Sequence, residues 1–164
     1  MAHFPRAPAW LVKLCPLDRP SLRAVPVRLN GRPAVAATDG CAFTVLPRHS
    51  AKRPATKYGR DLARALRILS RDRGPGLKVV PWEAVDTFLA GVRLSAKEPS
   101  EGIVARQVTI NRQLLKRFLG PLKSPTVKVR FGGELDAVHF TGRGWLVVVM
   151  PMRADPAKKR VVRL

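Results

Sequence analysis

Arginine is the residue type whose spacing in this sequence points most clearly to a chemical role. Arg60, Arg64, Arg67 and Arg71 follow one another at steps of four, three and four. On a helix this spacing places all four guanidinium groups on one face. Such a row suits contact with nucleic-acid phosphates, which requires charge and no access to base edges. The alternative interpretation is a solvated face opposite a leucine core.

The residue types that carry catalysis form no recognisable constellation. The 11 acidic residues are scattered, and His3, His49 and His139 lack the spacing of metal ligands. Asp136 and His139 are three apart on a predicted strand, which places them on opposite faces. Cys41 has no plausible base near it in the sequence, so we interpret it as a packing residue. The sequence therefore predicts a protein that is not an enzyme and holds no metal or cofactor.

Two glycine-rich stretches could be mistaken for phosphate-binding loops. Gly132-Gly133 and the pair Gly142 and Gly144 each lie between two predicted strands. A phosphate loop precedes the N-terminus of a helix, where backbone N–H groups point at the anion. Both stretches are therefore predicted to be hairpin turns.

Composition narrows the class of protein and of partner. The chain has 164 residues, 46% of them hydrophobic, and a net charge of +20. This charge favours a polyanionic partner, with nucleic acid first and a basic surface without a specific site as the alternative. A membrane surface is less favoured, because aromatic residues make up 6% and no apolar run could cross a bilayer. Cys15 and Cys41 form no disulfide framework, and we expect them to be reduced in a cytoplasmic protein.

The elements that must position the arginines begin with a predicted set of strands. Apolar residues predict three strands, from Leu22 to Leu29, around Val35 to Ala37, and from Cys41 to Val45. Asn30-Gly31 and Asp39-Gly40 are the turn signals between them. The arginine helix is predicted from Tyr58 to Arg73, with Leu62, Leu66 and Leu69 on its core face.

The second half repeats the order of strands, helix and strands. We predict a strand from Leu77 to Val80, a helix beginning at Pro81, and one strand from Ile103 to Ile110. Asn111 is predicted to cap a helix from Arg112 to Leu119. On this helix Arg112 and Lys116 could add to the phosphate contacts. Three further strands are predicted: Thr126 to Phe131, Leu135 to Thr141, and Trp145 to Met150.

Proline content and charge divide the chain into segments. Residues 1–20 form a proline-rich segment, 21–153 the folded domain, 48–57 a basic loop within it, and 154–164 a basic tail.

Two segments together resemble the bacterial DNA sliding clamps, the beta subunit of DNA polymerase III. The stretch from Leu29 to Gly40, a strand, a turn and a strand ending in Ala-Thr-Asp-Gly, is similar to a clamp hairpin signature. The stretch from Trp145 to Arg153, ending in Met-Pro-Met-Arg, is similar to the last strand and end of a clamp. Between them, Val108 to Leu115 followed by a helix and three strands resembles half of the final clamp domain. The sequence departs from the pattern at Cys41-Ala42, where clamps carry His-Arg.

The resemblance implies an α+β fold in which antiparallel sheets back two or three helices. It also implies a non-catalytic processivity factor for DNA replication or repair that surrounds double-stranded DNA. A bacterial clamp has three such domains, so this single clamp-like domain is expected to form a homo-oligomer if it closes a ring.

Charge and spacing make the following the expected DNA-binding residues: Arg60, Arg64, Arg67, Arg71, Arg112 and Lys116. The arginine row itself has no obvious counterpart in the clamp family, whereas the resemblance assigns a second role. A pocket for short peptides of DNA polymerase or repair proteins is expected at Thr38, Gly40, Met150, Pro151, Met152 and Arg153. The alternatives are a basic adaptor that forms no ring, and a nucleic-acid-processing enzyme whose acids, such as Asp39 and Asp136, converge only in the fold.

Overall fold

The computed structural model describes residues 25–29, 32–47, 61–62, 64–68, 74–105, 108–119, 122–153 and 162–164. Ten strands and two helices are defined within these ranges: β1 (Val25–Leu29), β2 (Arg32–Thr38), β3 (Ala42–Pro47), β4 (Gly76–Pro81), α1 (Trp82–Leu89), β5 (Glu101–Val104), β6 (Val108–Asn111), α2 (Arg112–Leu119), β7 (Thr126–Phe131), β8 (Val138–Gly142), β9 (Trp145–Val149) and β10 (Val162–Arg163). Residues 61–62 and 64–68 are also helical, and we call them the arginine segment.

Seven strands form one antiparallel sheet in the order β1-β2-β3-β9-β8-β7-β4. The first hairpins follow the chain, whereas β3 pairs with β9, with Ala42 opposite Val149. This long-range pairing joins the two halves of the chain in a single sheet. The strands predicted on either side of Asp39-Gly40 and from Thr126 to Phe131 are confirmed.

A second sheet of three strands has the order β10-β5-β6. The sequence predicted one strand from Ile103 to Ile110, and this prediction is wrong. The chain reverses after Val104, and β5 and β6 pair antiparallel, with Val104 opposite Val108. Ala105, at φ 50°, takes the left-handed conformation that allows the reversal. No glycine, asparagine or proline marks this turn, and apolar residues recur at alternate positions on both sides of it.

The end of the chain joins this second sheet. Val162 and Arg163 pair in parallel with Gly102 and Ile103. Leu164 is buried, and its backbone N–H donates to the Ile103 carbonyl at 3.0 Å. The last residues of the predicted basic tail are therefore part of the fold. The predicted segments 1–20 and 48–57 lie outside the described residues.

Both helices begin close to where the sequence predicts. The side chain of Asn111 caps α2 by accepting from the backbone N–H of Gln113 at 2.9 Å, as predicted. Pro81 is the residue immediately before α1, and its φ of −68° leads the chain into the helix.

The large sheet has a hydrophobic core on each face. On the face we call inner, the apolar faces of α1 and α2 pack on the sheet through residues such as Phe88, Leu115 and Phe118. On the outer face, Leu62 and Leu66 of the arginine segment pack over β1, β2, β3 and β9. Successive residues of β3 point to opposite faces of the sheet. The Thr44 hydroxyl donates to the Phe118 carbonyl of α2 on the inner face, whereas the next residue, Val45, belongs to the outer core.

Within the described ranges, no helix is both long and apolar enough to span a membrane.

Candidate partner-binding and nucleic-acid surfaces

The turn between β2 and β3 is held together by its own polar side chains. The Thr38 hydroxyl donates to the Ala42 carbonyl at 2.7 Å and accepts from the Gly40 N–H at 2.9 Å. Asp39 Oδ1 accepts from the N–H groups of Cys41 and Ala42, each at 2.9 Å. Gly40 sits at φ +95°, which a residue with a side chain rarely adopts. Threonine, aspartate and glycine are therefore each needed to fix this turn.

The same turn lies beside the Met-Pro-Met-Arg segment. Because β3 pairs with β9, the N–H of Met150 reaches the carbonyl of Cys41 at 2.9 Å. The two motifs that are more than a hundred positions apart in the sequence are thus neighbours in one chain.

The Met-Pro-Met-Arg segment is held on its other side by β6. Pro151 forms a bridge with Ile110, and the N–H of Met152 donates to the Thr109 carbonyl at 2.9 Å. Met150 keeps 38% of its surface exposed, Pro151 and Met152 are half-buried, and Arg153 is exposed. We call Gly40, Cys41, Met150, Pro151, Met152 and Arg153 together the methionine strip.

The individual residues of this predicted pocket do not all face outward. Thr38 is buried and serves the turn, whereas Gly40 is exposed. Cys41 is also exposed, so its interpretation as a packing residue is wrong. The turn geometry explains the exposure, because Cys41 lies just before the first paired residue of β3 and contributes its backbone rather than its side chain.

The position of Arg112 corrects one expectation about DNA contact. Its side chain is buried, with Nε donating to the Phe88 carbonyl at 2.6 Å and Nη2 to the Ala90 carbonyl at 2.8 Å. Nη1 donates to Ser100 Oγ at 3.2 Å, and the guanidinium carbon lies 5.5 Å from the centre of the Phe88 ring. Burial lowers the pKa of Arg112, but a guanidinium stays protonated in proteins. Arg112 therefore ties α2 to α1 and does not face a phosphate.

Two more side chains of α2 bind the loop that follows α1. Gln113 Nε2 donates to the carbonyls of Arg93 and Ala96, at 2.9 and 3.1 Å. Lys116 Nζ donates to the Val92 carbonyl at 2.9 Å. The polar face of α2 is thus occupied largely by backbone carbonyls of residues 88–96. Sequence reasoning misses the roles of Gln113 and Ser100, because polar residues at these positions normally indicate a solvated face.

The arginine segment lies on the opposite face of the large sheet. Arg64 and Arg67 are exposed, while Leu66 between them is 1% exposed and points into the outer core. Arg60 and Arg71 lie outside the described residues. The predicted DNA-binding residues therefore do not form one surface, since Arg112 and Lys116 lie beyond the sheet from Arg64 and Arg67.

The acids of the rival enzyme hypothesis are occupied in turns. Asp39 caps the β2–β3 turn, and Asp136 Oδ2 accepts from the Gly133 N–H at 2.7 Å. Asp136 lies before β8, which begins at Val138 rather than at the predicted Leu135. Among the residues that the structure describes, no group of three or more His, Cys, Asp or Glu side chains could hold a metal ion.

Solved bacterial sliding clamps match this arrangement of sheets and helices. DNA polymerase III subunit beta from Pseudomonas aeruginosa matches with a TM-score of 0.56 over 88% of this chain and 64% of that one, at 13% identity. The sliding clamp of Bacillus subtilis matches with a TM-score of 0.53 over 85% and 59%, at 9% identity. The C. crescentus beta sliding clamp gives 0.53 over 88% and 62%, at 12% identity. The chain has the sliding-clamp fold.

The sliding-clamp fold is mixed α+β with antiparallel sheets, as the sequence predicted. The chain spans about three-fifths of the length of these clamps. No protein-family model matches the chain, and no curated protein matches it.

Proposed function

We propose that this chain is a non-catalytic, clamp-like protein that binds double-stranded DNA through its phosphates and docks short partner peptides on the methionine strip. The observation that carries the proposal is the 2.9 Å bond between Met150 N and Cys41 O, within a sliding-clamp fold. It places the Thr-Asp-Gly turn and the Met-Pro-Met-Arg segment side by side in a single chain. DNA replication or repair is the setting that such a role fits.

The methionine strip has the chemistry of a peptide-docking surface. Met150 offers a flexible, polarisable thioether, which adapts to apolar side chains of different shape. Arg153 is exposed beside it and offers a cation for a peptide carboxylate. Within the strip, Met150 and Met152 are held by backbone bonds to Cys41 and to Thr109, so little ordering is needed on binding. These features favour a short peptide with leucine or phenylalanine and an acidic group.

A labelled peptide tests the methionine strip. We expect a six-residue peptide of leucine, phenylalanine and aspartate to bind the wild-type chain, measured by fluorescence anisotropy. Met150→Ser with Met152→Ser should weaken binding about tenfold or more, because each removes an apolar contact. Leu77→Ser is the matched control, because Leu77 is 49% exposed on β4, which lies three strands from β9 in the large sheet. Equal affinity for the double variant and the wild type would contradict docking at the strip.

DNA binding is supported by the net charge of +20 and by the exposed arginines of the arginine segment. Arg64 and Arg67 project from a helical segment whose leucines face the outer core, so their guanidinium groups lie at the protein surface. Contacts of this kind neutralise phosphates and release counterions without reading bases. Binding should therefore depend on salt and be similar for unrelated duplexes.

A salt series tests this surface. Arg64→Ala with Arg67→Ala should reduce the slope of log affinity against log salt by about two, if each side chain contacts one phosphate. Arg117→Ala with Lys123→Ala is the control, because both are exposed and the pair removes the same charge from α2 and the loop before β7. A larger reduction of the slope by the control pair would contradict DNA contact at Arg64 and Arg67 and would indicate contact on the inner face of the sheet.

A basic adaptor that forms no ring is the second candidate function. It is favoured by the presence of both motifs in one chain, since no second copy is needed to complete the strip. The clamp-like function that we propose first would instead need a ring, in which several copies of the chain form a homo-oligomer through head-to-tail contacts. Sedimentation at micromolar concentration, in the buffers of the salt series, separates the two. A strict monomer with and without DNA would contradict the ring and favour the basic adaptor.

A further inference from the structure

The outer face of the large sheet has two halves with different surroundings. Over β1, β2, β3 and β9, residues such as Val27, Ala36 and Val148 are buried under Leu62 and Leu66. We call this the covered half. The other half, which we call the bare half, is formed by β7 and by β4 at the edge of the sheet.

The bare half carries an apolar row beside a basic row. Leu77 and Val79 of β4 are 49% and 55% exposed. Their partners across the strand pair are Arg130, which is half-buried, and Lys128, which is exposed. Residues opposite each other in an antiparallel pair point to the same face, so each apolar side chain lies next to a cation.

The charge on this surface has one sign along both strands. Lys128 and Arg130 of β7 are the cations on this face, and neither β4 nor β7 contains an acid. Lys78 lies opposite the core residue Val129 and therefore points to the inner face. Glu134 and Asp136 follow in the turn after β7, and the Asp136 carboxylate accepts from the Gly133 N–H. The bare half therefore offers exposed apolar area flanked by positive charge.

We propose that the bare half docks an amphipathic helix of a partner protein, with an apolar stripe and acidic residues beside it. The covered half shows how this sheet accepts a helix, because there Leu62 and Leu66 pack on it at a spacing of four residues. Four residues along a helix rise about 6 Å. Leu77 and Val79 are two residues apart on a strand, which separates them by about 7 Å. The spacing of apolar side chains four residues apart on a helix therefore matches the spacing of Leu77 and Val79. This surface is distinct from the methionine strip and from Arg64 and Arg67.

The chemistry of the bare half disfavours the other occupants. Leucine and valine offer no ring on which a base could stack, so single-stranded nucleic acid fits poorly. A second copy that met this face with its own bare half would bring Lys128 and Arg130 against the same cations. A strand added at the edge of β4 is disfavoured because Lys78 and Pro81 lie on that strand. An acidic helix fits both the apolar row and the charge.

The test uses a labelled synthetic 15-residue helix with leucine at every third and fourth position and glutamate beside them. By fluorescence anisotropy at physiological salt, we expect it to bind at least tenfold more tightly than the same peptide with lysine for glutamate. Val79→Thr and Lys128→Glu should each weaken binding about fivefold or more. Val79→Thr keeps the branched shape that suits a strand, and a thermal melt of each variant confirms that it folds.

The control is Lys97→Glu, an equal charge change in the loop that α2 binds on the inner side. We expect it to weaken binding less than twofold. If Lys97→Glu weakened binding as much as Lys128→Glu, the binding would be a diffuse electrostatic attraction, and the proposal would be overturned. The absence of saturable binding by the wild type would also overturn it. Equal binding of a peptide with a central proline would overturn it in favour of strand addition. Self-association that Val79→Thr abolishes would overturn it in favour of a second copy.

Discussion

Two helical elements on opposite sides of the large sheet use arginine in opposite ways. On the inner face, Arg112 of α2 is buried and donates to the Phe88 carbonyl, the Ala90 carbonyl and Ser100. On the outer face, Arg64 of the arginine segment is exposed above the covered half. Both residues lie on amphipathic helices in a strongly basic chain. The difference lies in the acceptors that the tertiary structure supplies, because α1 ends with its last carbonyls pointing toward α2.

This comparison shows that positive charge in the chain has two separate uses. One part is structural and binds α1 and the loop after it to α2. The other part is exposed and available to a polyanion. The net charge of +20 therefore overstates the positive charge that faces solvent, since inward and outward arginines count alike in it.

The largest expected effect is the loss of the inward arginine. Arg112→Met removes the donor for three buried or half-buried oxygen acceptors, and we expect about 2–4 kcal/mol loss in the free energy of unfolding. Arg64→Met is the matched control and should change the free energy of unfolding by less than about 0.5 kcal/mol. Urea denaturation of both variants measures the difference.

The two variants should also differ in DNA binding, in the reverse order. Below the melting temperature, Arg112→Met should bind duplex DNA like the wild type, whereas Arg64→Met should bind more weakly. If Arg112→Met lost DNA affinity while remaining as stable as the wild type, the division between inward and outward arginines would be wrong.

A smaller effect is expected at Gln113. Gln113→Leu leaves the carbonyls of Arg93 and Ala96 without the amide donor, and we expect a loss of about 1–2 kcal/mol. The loss should be local, so amide hydrogen exchange should accelerate within residues 90–100 more than in β9. Arg117→Ala, an exposed position on the same helix, is the control and should leave the exchange of this loop unchanged. Uniform acceleration across the chain would assign Gln113 to global stability instead.

The parts of the fold that depend on local signals could be predicted from the sequence. The Asn111 cap, the Asp39-Gly40 turn and the strand from Thr126 to Phe131 each depend on residues close together in the chain. The α+β class followed from the clamp resemblance.

The parts that depend on distant residues could not be predicted. The burial of Arg112 depends on carbonyls some 20 positions earlier, and the exposure of Cys41 depends on the pairing of β3 with β9. The reversal at Ala105 has no residue that favours a turn, so the apolar alternation across it reads as one strand. The two halves of the outer face could not be told apart from the sequence either, because the strand predicted from Leu77 to Val80 carries no signal that Leu77 and Val79 are exposed.

The pairing of β10 with β5 sets a condition on how the chain is made. During synthesis, Val162 and Arg163 leave the ribosome about sixty residues after β5, which corresponds to roughly 3–12 s at typical elongation rates. For that time the β5 edge has no parallel partner strand and the core lacks Leu164. An open strand edge invites pairing with other nascent chains. The pairing of Val162 and Arg163 with Gly102 and Ile103 therefore removes an edge that would otherwise be open to other nascent chains.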